Sequence, residues 1–331
     1  MNLLSTRQAY RPIAYPWALD YWRKQQQIHW LPEEANLHSD VKDWTHILSP
    51  GEKNLLTQLF RFFVQGDCDV ASGYYDKFIP ILGGQPEIKM MMGAFANMET
   101  VHIDAYDKLL QTIGMPDVEY QAFNGYREMA AKHAYVSTFV PVHPGSLVRA
   151  DDSDHALRTL IKTMAVYSAF TDGLQLFSSF AILLNFARFK KMLGMCKIVE
   201  WSIRDETLHT EAMCHLTREL ISENSHIWTD NLKGEIYQIC RDMVRLEDGF
   251  IDLCFREAGD IQGLSSAQVK KYIRFIADRR LNMLGLKANY GNEGENLDWI
   301  DWMLGEGHSN FFETRETEYS KGSSIDWSMA W

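Results

Sequence analysis

The chain has 331 residues, 46% of them hydrophobic and 12% aromatic, and a formal net charge of −11. This length and composition are typical of a globular protein with a sizeable core, and the acidic balance argues against a nucleic-acid-binding groove, which needs a basic stripe. The five cysteines form no C-x-x-C pair, so neither a disulfide framework nor a zinc site is indicated, and a reducing cytoplasm is the expected location.

Residues 1–48 are predicted to form an irregular arm that lies over the body of the protein, because they are rich in prolines and aromatic residues. Within the arm, Trp30 in the sequence Trp30-Leu-Pro-Glu-Glu34 is expected to be a buried anchor. The first twenty residues contain no apolar run of the signal-peptide type. The longest apolar run, near residues 174–187, is interrupted by polar side chains and is too short for a membrane span. We therefore expect a soluble protein that binds neither membrane nor nucleic acid.

Residues 49–290 carry long helical patterns. Ser49 is a predicted N-cap with Pro50 at the first helical position, and this helix is expected to reach about Phe78. A further helix is predicted at about 86–113, where Gly114 ends it, and a shorter one follows that ends at about residue 136. Four more helices are predicted at about 154–189, 193–222, 232–258 and 265–286. Because no strand pair with hairpin signals is found, the predicted fold class is an all-α bundle of long helices.

Residues 291–331 are predicted to form a C-terminal tail. Its later part is polar, lacks helical periodicity and carries scattered aromatic residues. This composition predicts a mobile segment whose last residues dock on a partner.

Two helices of the predicted bundle carry the same Glu-x-x-His motif, Glu99 with His102 and Glu206 with His209. On an α-helix, the three-residue spacing places the carboxylate and the imidazole of each motif on one face. One such motif is weak evidence, because a solvated acid beside a core histidine gives the same pattern. Two copies in a chain with eleven histidines favour a metal site.

A dinuclear site in a four-helix bundle takes one further carboxylate from each of the two other helices. Asp172 is the single acidic residue between positions 155 and 199, and a buried, unpaired carboxylate there would be costly without a cation. The alternative is that the Asp172 carboxylate accepts hydrogen bonds from neighbouring serine hydroxyl and glutamine amide groups and binds no cation. On the helix after residue 49, Asp67 shares its stripe with apolar side chains, whereas Asp69, about 200° around the helix, has polar neighbours. We therefore select Asp67.

The predicted metal ligands are Asp67, Glu99, His102, Asp172, Glu206 and His209. Four carboxylates can neutralise two divalent cations, and a mixed oxygen and nitrogen donor set without thiolates suits iron or manganese. Six protein ligands leave open coordination positions for dioxygen chemistry. Tyr106 follows His102 by four residues on the same stripe. Spacing alone leaves open whether its phenol acts at the metals or only packs with one hydrogen bond.

Four segments together carry a specific resemblance to a known family: Trp30-Leu-Pro-Glu-Glu34, Glu99–Tyr106, Arg204-Asp-Glu-Thr-Leu-His209 and Tyr272–Leu281. Through them the chain resembles, over nearly its whole length, the small, radical-generating subunit of class I ribonucleotide reductase. The resemblance implies a ferritin-like bundle whose dinuclear metal centre reacts with dioxygen and oxidises the adjacent tyrosine, here Tyr106, to a radical. Iron is the commonest metal in this family, some subclasses use manganese or one ion of each, and some members keep the active oxidant on manganese itself instead of on the tyrosine.

The resemblance also implies partners and a route for the radical. It implies a homodimer, a separate large subunit that binds the nucleotide, and in some subclasses a flavoprotein activase. The radical equivalent would pass from His102 through Asp205 and Trp30, and Tyr319 in the tail would relay it to the large subunit. Asp205 has an independent rationale, because a metal-bound histidine generally donates its second N–H to a carboxylate. Otherwise Asp205 would be a surface acid beside Arg204.

Asp172 departs from the family pattern, which has glutamate at this position. Aspartate is shorter by one carbon–carbon bond, about 1.5 Å, and this difference affects how the carboxylate binds and which metal is activated.

Two other functions are alternatives to the reductase subunit. A dimetal oxidase or oxygenase acting on its own bound substrate would need an apolar channel to the metals and no Asp205 route. A non-catalytic metal store or dead subunit would show additional entry carboxylates or lost ligands.

Overall fold

The structure is a computed structural model that describes residues 2–139, 142 and 153–304. Tyr319 and most of the predicted tail lie outside these described residues. The described residues form helices and turns and contain no β-strand, which confirms the predicted all-α fold class. The nine longer helices in this described part of the chain are α1 (Pro16–Gln27), α2 (Pro50–Ser72), α3 (Pro86–Ile113), α4 (Arg127–Ser137), α5 (Ser153–Met164), α6 (Leu176–Asn185), α7 (Leu193–Glu223), α8 (Asp230–Ala258) and α9 (Ser266–Met283).

The boundaries of α2 and α3 follow from local chemistry. At the start of α2, Ser49 Oγ accepts a hydrogen bond from the N–H of Glu52 at 3.2 Å, and the Glu52 carboxylate accepts one from the N–H of Ser49 at 2.9 Å. This capping box satisfies two backbone donors, and Pro50 occupies the first helical turn. Helix α3 ends at Gly114, whose φ of 80° lies in the left-handed region that favours glycine. Both predicted boundaries are confirmed.

Three π-helical segments occur among the described residues: Asp43–Ile47 in the arm, and two that adjoin the longer helices. One, Gly73–Phe78, continues α2, and the other, Ala165–Gln175, joins α5 to α6 and is called the π-segment below. The predicted continuous helix at 154–189 therefore consists of α5, the π-segment, α6 and the 3-10 turn Phe186–Phe189. Hydrogen bonds in a π-helix run between residues five apart, so the wider turn changes which side chains share a face. The 3.6-residue period of apolar residues, from which α-helices are predicted, does not reveal this change.

Four helical units surround the centre of the bundle. Helix α2 packs on α3, α3 packs on α7, α7 packs on the π-segment, and the π-segment and α6 pack on α2. Helices α8 and α9 cover the outer side of the π-segment, and α4 packs on α8. Each unit of the ring therefore presents one face to a shared interior, which is where a four-helix bundle places its ligands.

The prediction that the N-terminal arm is irregular is wrong for part of its length. Helix α1 forms within it and packs on α3 and α7. Only Ala18, Leu19 and Gln25 of its 12 residues are buried, so its apolar stripe is too narrow for a periodicity argument. The arm is therefore built partly as a helix, and one of its buried residues is polar.

The chain divides into two compact units, Met1–Asn296 and Leu297–Trp331. The first unit contains α1 to α9, and in the second unit residues 298–304 are helical. The subdivision into an arm (1–48), a metal-binding bundle (49–290) and a docking tail (291–331) stays a prediction. Among the described residues, no helix has the length and apolarity needed to cross a membrane.

Candidate metal centre

The six predicted ligands all lie in the interior, and none exposes more than 1% of its surface. They come from the four units of the ring. Helix α2 supplies Asp67, α3 supplies Glu99 and His102, the π-segment supplies Asp172, and α7 supplies Glu206 and His209. The sequence pattern therefore selected carboxylates and imidazoles that the fold buries in the same bundle.

The two glutamates lie between the two imidazoles. His102 Nδ1 is 3.5 Å from Glu99 Oε2 and 3.0 Å from Glu206 Oε1. His209 Nδ1 is 3.0 Å from Glu99 Oε1 and 3.4 Å from Glu206 Oε2. Ligand atoms of Glu99, His102 and Glu206 lie within 4.8 Å of one another. One cation can therefore be bound by residues of both motifs.

The charges of the two glutamates and of His102 act on Asp67 and Asp172. Burial raises the pKa of both aspartates well above the ordinary value, and the charges of Glu99 and Glu206 raise them further. The positive charge of His102 acts in the opposite direction on the pKa of both aspartates. The four carboxylates thus repel one another in a dry interior, and such a cluster requires compensating positive charge.

The two histidines supply that charge as long as they hold protons. Burial alone lowers the pKa of each imidazole, but hydrogen bonds to the surrounding carboxylates outweigh it. The net effect raises the pKa of His102 well above the ordinary value and that of His209 to about 9. Burial raises the pKa of Glu99, yet the same hydrogen bonds bring it below its usual value. Metal ions would replace these protons, since metal binding requires neutral imidazoles.

Unsatisfied oxygen atoms test whether the residues fit a metal centre. Within the predicted ligand set, five buried carboxylate oxygens accept no well-directed hydrogen bond from the described residues, namely Asp67 Oδ2, Glu99 Oε2, Asp172 Oδ1, Glu206 Oε1 and Glu206 Oε2. Each such group costs about 1–3 kcal/mol or more when it is left unpaired. Oxygen atoms with two imidazole nitrogens are a donor set that suits iron or manganese. The residues present therefore fit a dinuclear metal centre.

Asp205 links the centre to α1 and to the arm. It is fully buried and accepts hydrogen bonds from Trp30 Nε1 at 2.7 Å, from Gln25 Nε2 at 3.1 Å and from His102 Nε2 at 3.2 Å. Because a carboxylate only accepts, Nε2 of His102 carries a proton, so the neutral imidazole that a metal requires has its lone pair at Nδ1. The rings of Trp30 and His102 are stacked with centroids 5.8 Å apart. The structure thus brings these three predicted residues into contact, and Asp205 is not a surface acid.

Gln25 is a residue that the sequence analysis missed. Its side-chain oxygen accepts a hydrogen bond from Nε2 of His209 at 3.0 Å, while its amide nitrogen donates to Asp205. The outer nitrogens of both histidines are therefore held, and both Nδ1 atoms face the centre. In the sequence, Gln25 is followed by Gln26 and Gln27, and no signal distinguishes it until the face of α1 is known.

Two buried tyrosines lie near the ligands. The hydroxyl of Tyr106 donates a hydrogen bond to Ser202 Oγ at 3.1 Å, and burial, with the charge of Asp67, raises its pKa. Tyr74, which the sequence analysis did not select, has its ring edge toward that of His209, with centroids 6.3 Å apart. Its hydroxyl has no hydrogen-bond partner among the described residues. Both phenols are 1% exposed and are therefore neutral, since burial disfavours the phenolate.

Comparisons with known proteins agree on one family. The family model for the ribonucleotide reductase small chain matches residues 7–296. A protein named probable ribonucleoside-diphosphate reductase small subunit, from Invertebrate iridescent virus 6, is 40% identical over 361 residues, covering 100% of this chain and 99% of that protein.

Two solved structures share the fold. The R2 subunit of ribonucleotide reductase from Clostridium botulinum has a TM-score of 0.78 at 23% identity, covering 92% of this chain and 94% of that one. The dimanganese(II) NrdF of Streptococcus sanguinis has a TM-score of 0.73 at 18% identity, covering 91% and 99%. These similarities confirm the predicted ferritin-like helical bundle, and with the family match they show that the chain belongs to the ribonucleotide reductase small-chain family.

Proposed function

We propose that this chain binds two metal ions through Asp67, Glu99, His102, Asp172, Glu206 and His209, and that it generates the oxidising equivalent for ribonucleotide reduction. The observation that carries this proposal is the buried group of four carboxylates and two imidazoles with five unsatisfied oxygens. When bound, the dinuclear centre supplies one-electron oxidation with dioxygen. Two iron ions are our first choice. Manganese, which is named for the Streptococcus sanguinis protein, and a mixed pair are the alternatives.

Tyr106 is the residue that we propose is oxidised to a radical. It lies one turn beyond His102 on α3, and the charges of Asp67, His102 and Glu206 act on its phenol. Its hydroxyl is held by Ser202, so the phenol keeps a fixed orientation. Because burial keeps the phenol neutral, its oxidation removes a proton as well as an electron. A dry pocket of this kind also shields a radical from water.

His102, Asp205 and Trp30 form the proposed exit route for the radical equivalent. They are joined by two consecutive hydrogen bonds of 3.2 Å and 2.7 Å, and the stacked rings of Trp30 and His102 add an aromatic contact. An oxygenase that acts on its own substrate would not need this chain of contacts. Tyr319, outside the described residues, is the proposed relay to the partner.

The proposed partner is a separate large subunit that binds the ribonucleoside diphosphate, the substrate named for the viral relative. We further propose that two copies of this chain form a homodimer in the cytoplasm. A flavoprotein activase is a further candidate partner, and reconstitution with and without such a protein tests the need for it.

The test is reconstitution of the purified chain with iron, with manganese or with both in air, followed by elemental analysis and electron paramagnetic resonance. We expect two metal ions per chain and a tyrosyl signal that is absent from Tyr106→Phe, while metal binding by this variant is unchanged. Tyr106→Phe retaining the same signal would place the radical elsewhere. Failure of every metal loading to support ribonucleotide reduction with the large subunit would refute the proposed function.

A further inference from the structure

Arg280 on α9 is a buried cation outside the ligand set. It is 2% exposed, and its Nε donates a hydrogen bond to the carbonyl oxygen of Gly173 at 2.6 Å. Its guanidinium lies over the ring of Phe177 at 4.7 Å, and Nη1 contacts Met283 Sδ at 3.3 Å. No carboxylate lies within ion-pair distance of Arg280 among the described residues. Burying an arginine without an acidic partner is costly, so the presence of this guanidinium beside Gly173 indicates a specific role.

Gly173, the acceptor of this hydrogen bond, directly follows Asp172 in the π-segment. A Cβ atom at Gly173 would lie 2.9 Å from Arg280 Nε and 2.8 Å from Thr210 Cγ2. Only glycine therefore permits both neighbours to approach this closely. The residue after Asp172 is thus confined by α9 on one side and by α7 on the other.

Thr210 makes the contact from α7, and it directly follows His209. Its hydroxyl donates a hydrogen bond to the carbonyl oxygen of Ser168 at 3.3 Å. The π-segment is therefore attached at two carbonyls, by α7 four residues before Asp172 and by α9 one residue after it. These attachments fix the backbone from which the Asp172 side chain projects.

Asp172 has little side chain with which to correct an error in backbone position. Aspartate has one rotatable bond fewer than glutamate and is shorter by about 1.5 Å, so the position of its carboxylate depends on the position of the π-segment. We propose that Arg280 is a positioning residue for the metal centre, because its hydrogen bond to the Gly173 carbonyl holds the π-segment where the short Asp172 side chain reaches the metals. This inference rests on the proposed metal-binding function.

The geometry of the guanidinium suits this role. Its stacking on Phe177 and its contact with Met283 fix the plane of the group, so Nε donates in one direction. A lysine would keep the positive charge but would place a flexible ammonium group there. The lysine variant therefore separates a role of the charge from a role of the directed hydrogen bond.

The test is a Mn²⁺ titration of the full chain, in which the electron paramagnetic resonance signal of the free ion measures how much metal is unbound. For the wild type we expect two ions per chain. For Arg280→Met and Arg280→Lys we expect one of the two ions to bind about 10–100-fold more weakly, the usual effect of removing a group that orients a ligand. The matched control is Arg279→Met, whose exposed side chain adjoins Arg280 in sequence, and it should titrate like the wild type.

A rescue variant distinguishes positioning from a general loss of structure. Adding Asp172→Glu to Arg280→Met gives the carboxylate a longer side chain, and the double variant should bind the weakened ion at least tenfold more tightly than Arg280→Met does. A general loss of structure would not be reversed by this change. Wild-type affinity in Arg280→Met or in Arg280→Lys, or no recovery in the double variant, would overturn the proposal. If Arg280→Met does not fold, Arg280→Lys and its combination with Asp172→Glu decide the question. Absence of metal binding by the wild type would instead refute the proposed function.

Discussion

Asp205 is the residue through which the two histidines of the site are connected. It accepts hydrogen bonds from His102, Trp30 and Gln25, and Gln25 in turn accepts one from His209. A carboxylate can satisfy three donors, whereas an amide offers one oxygen and adds two donors of its own. The protonation of both imidazoles therefore depends on this single side chain.

Asp205→Asn is expected to weaken metal binding by about 10–100-fold without unfolding the bundle. The amide either faces the donor nitrogen of Gln25 or forces the Gln25 amide to turn, and the turned amide would place a donor against His209 Nε2. In that case Nδ1 of His209 carries the proton and cannot bind a metal. Metal titration with circular dichroism is the measurement, and Glu211→Gln, an exposed change on the same helix, is the control. Equal affinity in Asp205→Asn and wild type would contradict this role.

The difference between the residues found and missed from the sequence has a physical cause. Asp172 was selected because a carboxylate in an apolar stretch is costly, so its presence demanded a reason. Gln25 and Ser202 are neutral, and a neutral polar side chain on a helix is too common to demand one. The sequence around Tyr74 is that of an ordinary core aromatic, and only the structure shows that its hydroxyl has no partner among the described residues. Charge therefore leaves a trace in a sequence that neutral hydrogen-bonding groups do not.

At the scale of elements, helices with wide apolar faces were predicted and narrow or irregular ones were not. The capping box at Ser49 and the left-handed Gly114 fixed the ends of α2 and α3. Helix α1 was missed because few of its residues are buried. The π-segment was missed because its extra residue per turn depends on packing with α7 and α9 rather than on local preference.

The outer helices α4 and α8 are joined by a fully buried ion pair. Lys132 Nζ is 2.6 Å from Glu247 Oε2, and both side chains are 0% exposed. The ammonium lies 4.2 Å from the ring centroids of both Phe62 and Phe250, and Ser178 on α6 donates to the Glu247 carboxylate. Burial lowers the pKa of Lys132 and raises that of Glu247, and each partner opposes the shift of the other.

Glu247→Gln is therefore expected to lower the free energy of unfolding by about 3–5 kcal/mol, because it leaves a buried ammonium without its counter-charge. Replacing both residues, with Lys132→Met and Glu247→Leu, should recover most of this loss. Urea denaturation is the measurement. The control is Glu235→Gln on the same helix, which removes a partly exposed pair with Lys162 and should cost less than about 1 kcal/mol. Equal effects of the two glutamine variants would show that the buried pair has no special weight.

Glu87, in the first turn of α3, attaches the N-terminal arm to the bundle. Its carboxylate accepts hydrogen bonds from the backbone N–H groups of Ala14 and Tyr15 at 2.8 and 2.9 Å and from the guanidinium of Arg7. Burial raises the pKa of Glu87, but these hydrogen bonds and the charge of Arg7 outweigh it, so the net pKa is lowered. A lowered carboxyl pKa gives stability that is present above the unfolded-state pKa, about 4.3, and is lost as the pH falls through the folded-state pKa.

Acidification below about pH 4.3 should therefore destabilise the wild type more steeply than Glu87→Gln, whose amide does not titrate. At pH 7 the variant should be the less stable of the two, because it loses the ionic contact with Arg7. Melting temperatures measured between pH 7 and pH 3 test this expectation. Parallel curves for the two proteins would show that Glu87 contributes nothing to the acid sensitivity.

For the whole molecule, burial decides how the chemistry can be used. The six proposed ligands and Tyr106 are each at most 1% exposed, so a nucleotide cannot contact them. The net charge of −11 also disfavours a binding groove for polyanions on this chain. An oxidising equivalent made in such a site can act on a nucleotide only if it leaves through the protein. The proposed function therefore requires a partner that holds the substrate, and a contact with that partner.

The tail is the segment that we propose makes this contact, and docking can be separated from radical transfer by two variants. Removing the residues after Asn310 should abolish binding to the large subunit while leaving the melting temperature and the metal content of the bundle unchanged. Tyr319→Phe should bind the large subunit with wild-type affinity, since it loses only a hydroxyl, yet ribonucleotide reduction should fall at least a hundredfold because phenylalanine cannot carry the radical equivalent. Surface plasmon resonance and a turnover assay measure the two effects. A truncated chain that still binds would assign docking to the bundle, and an active Tyr319→Phe would assign the relay to another residue.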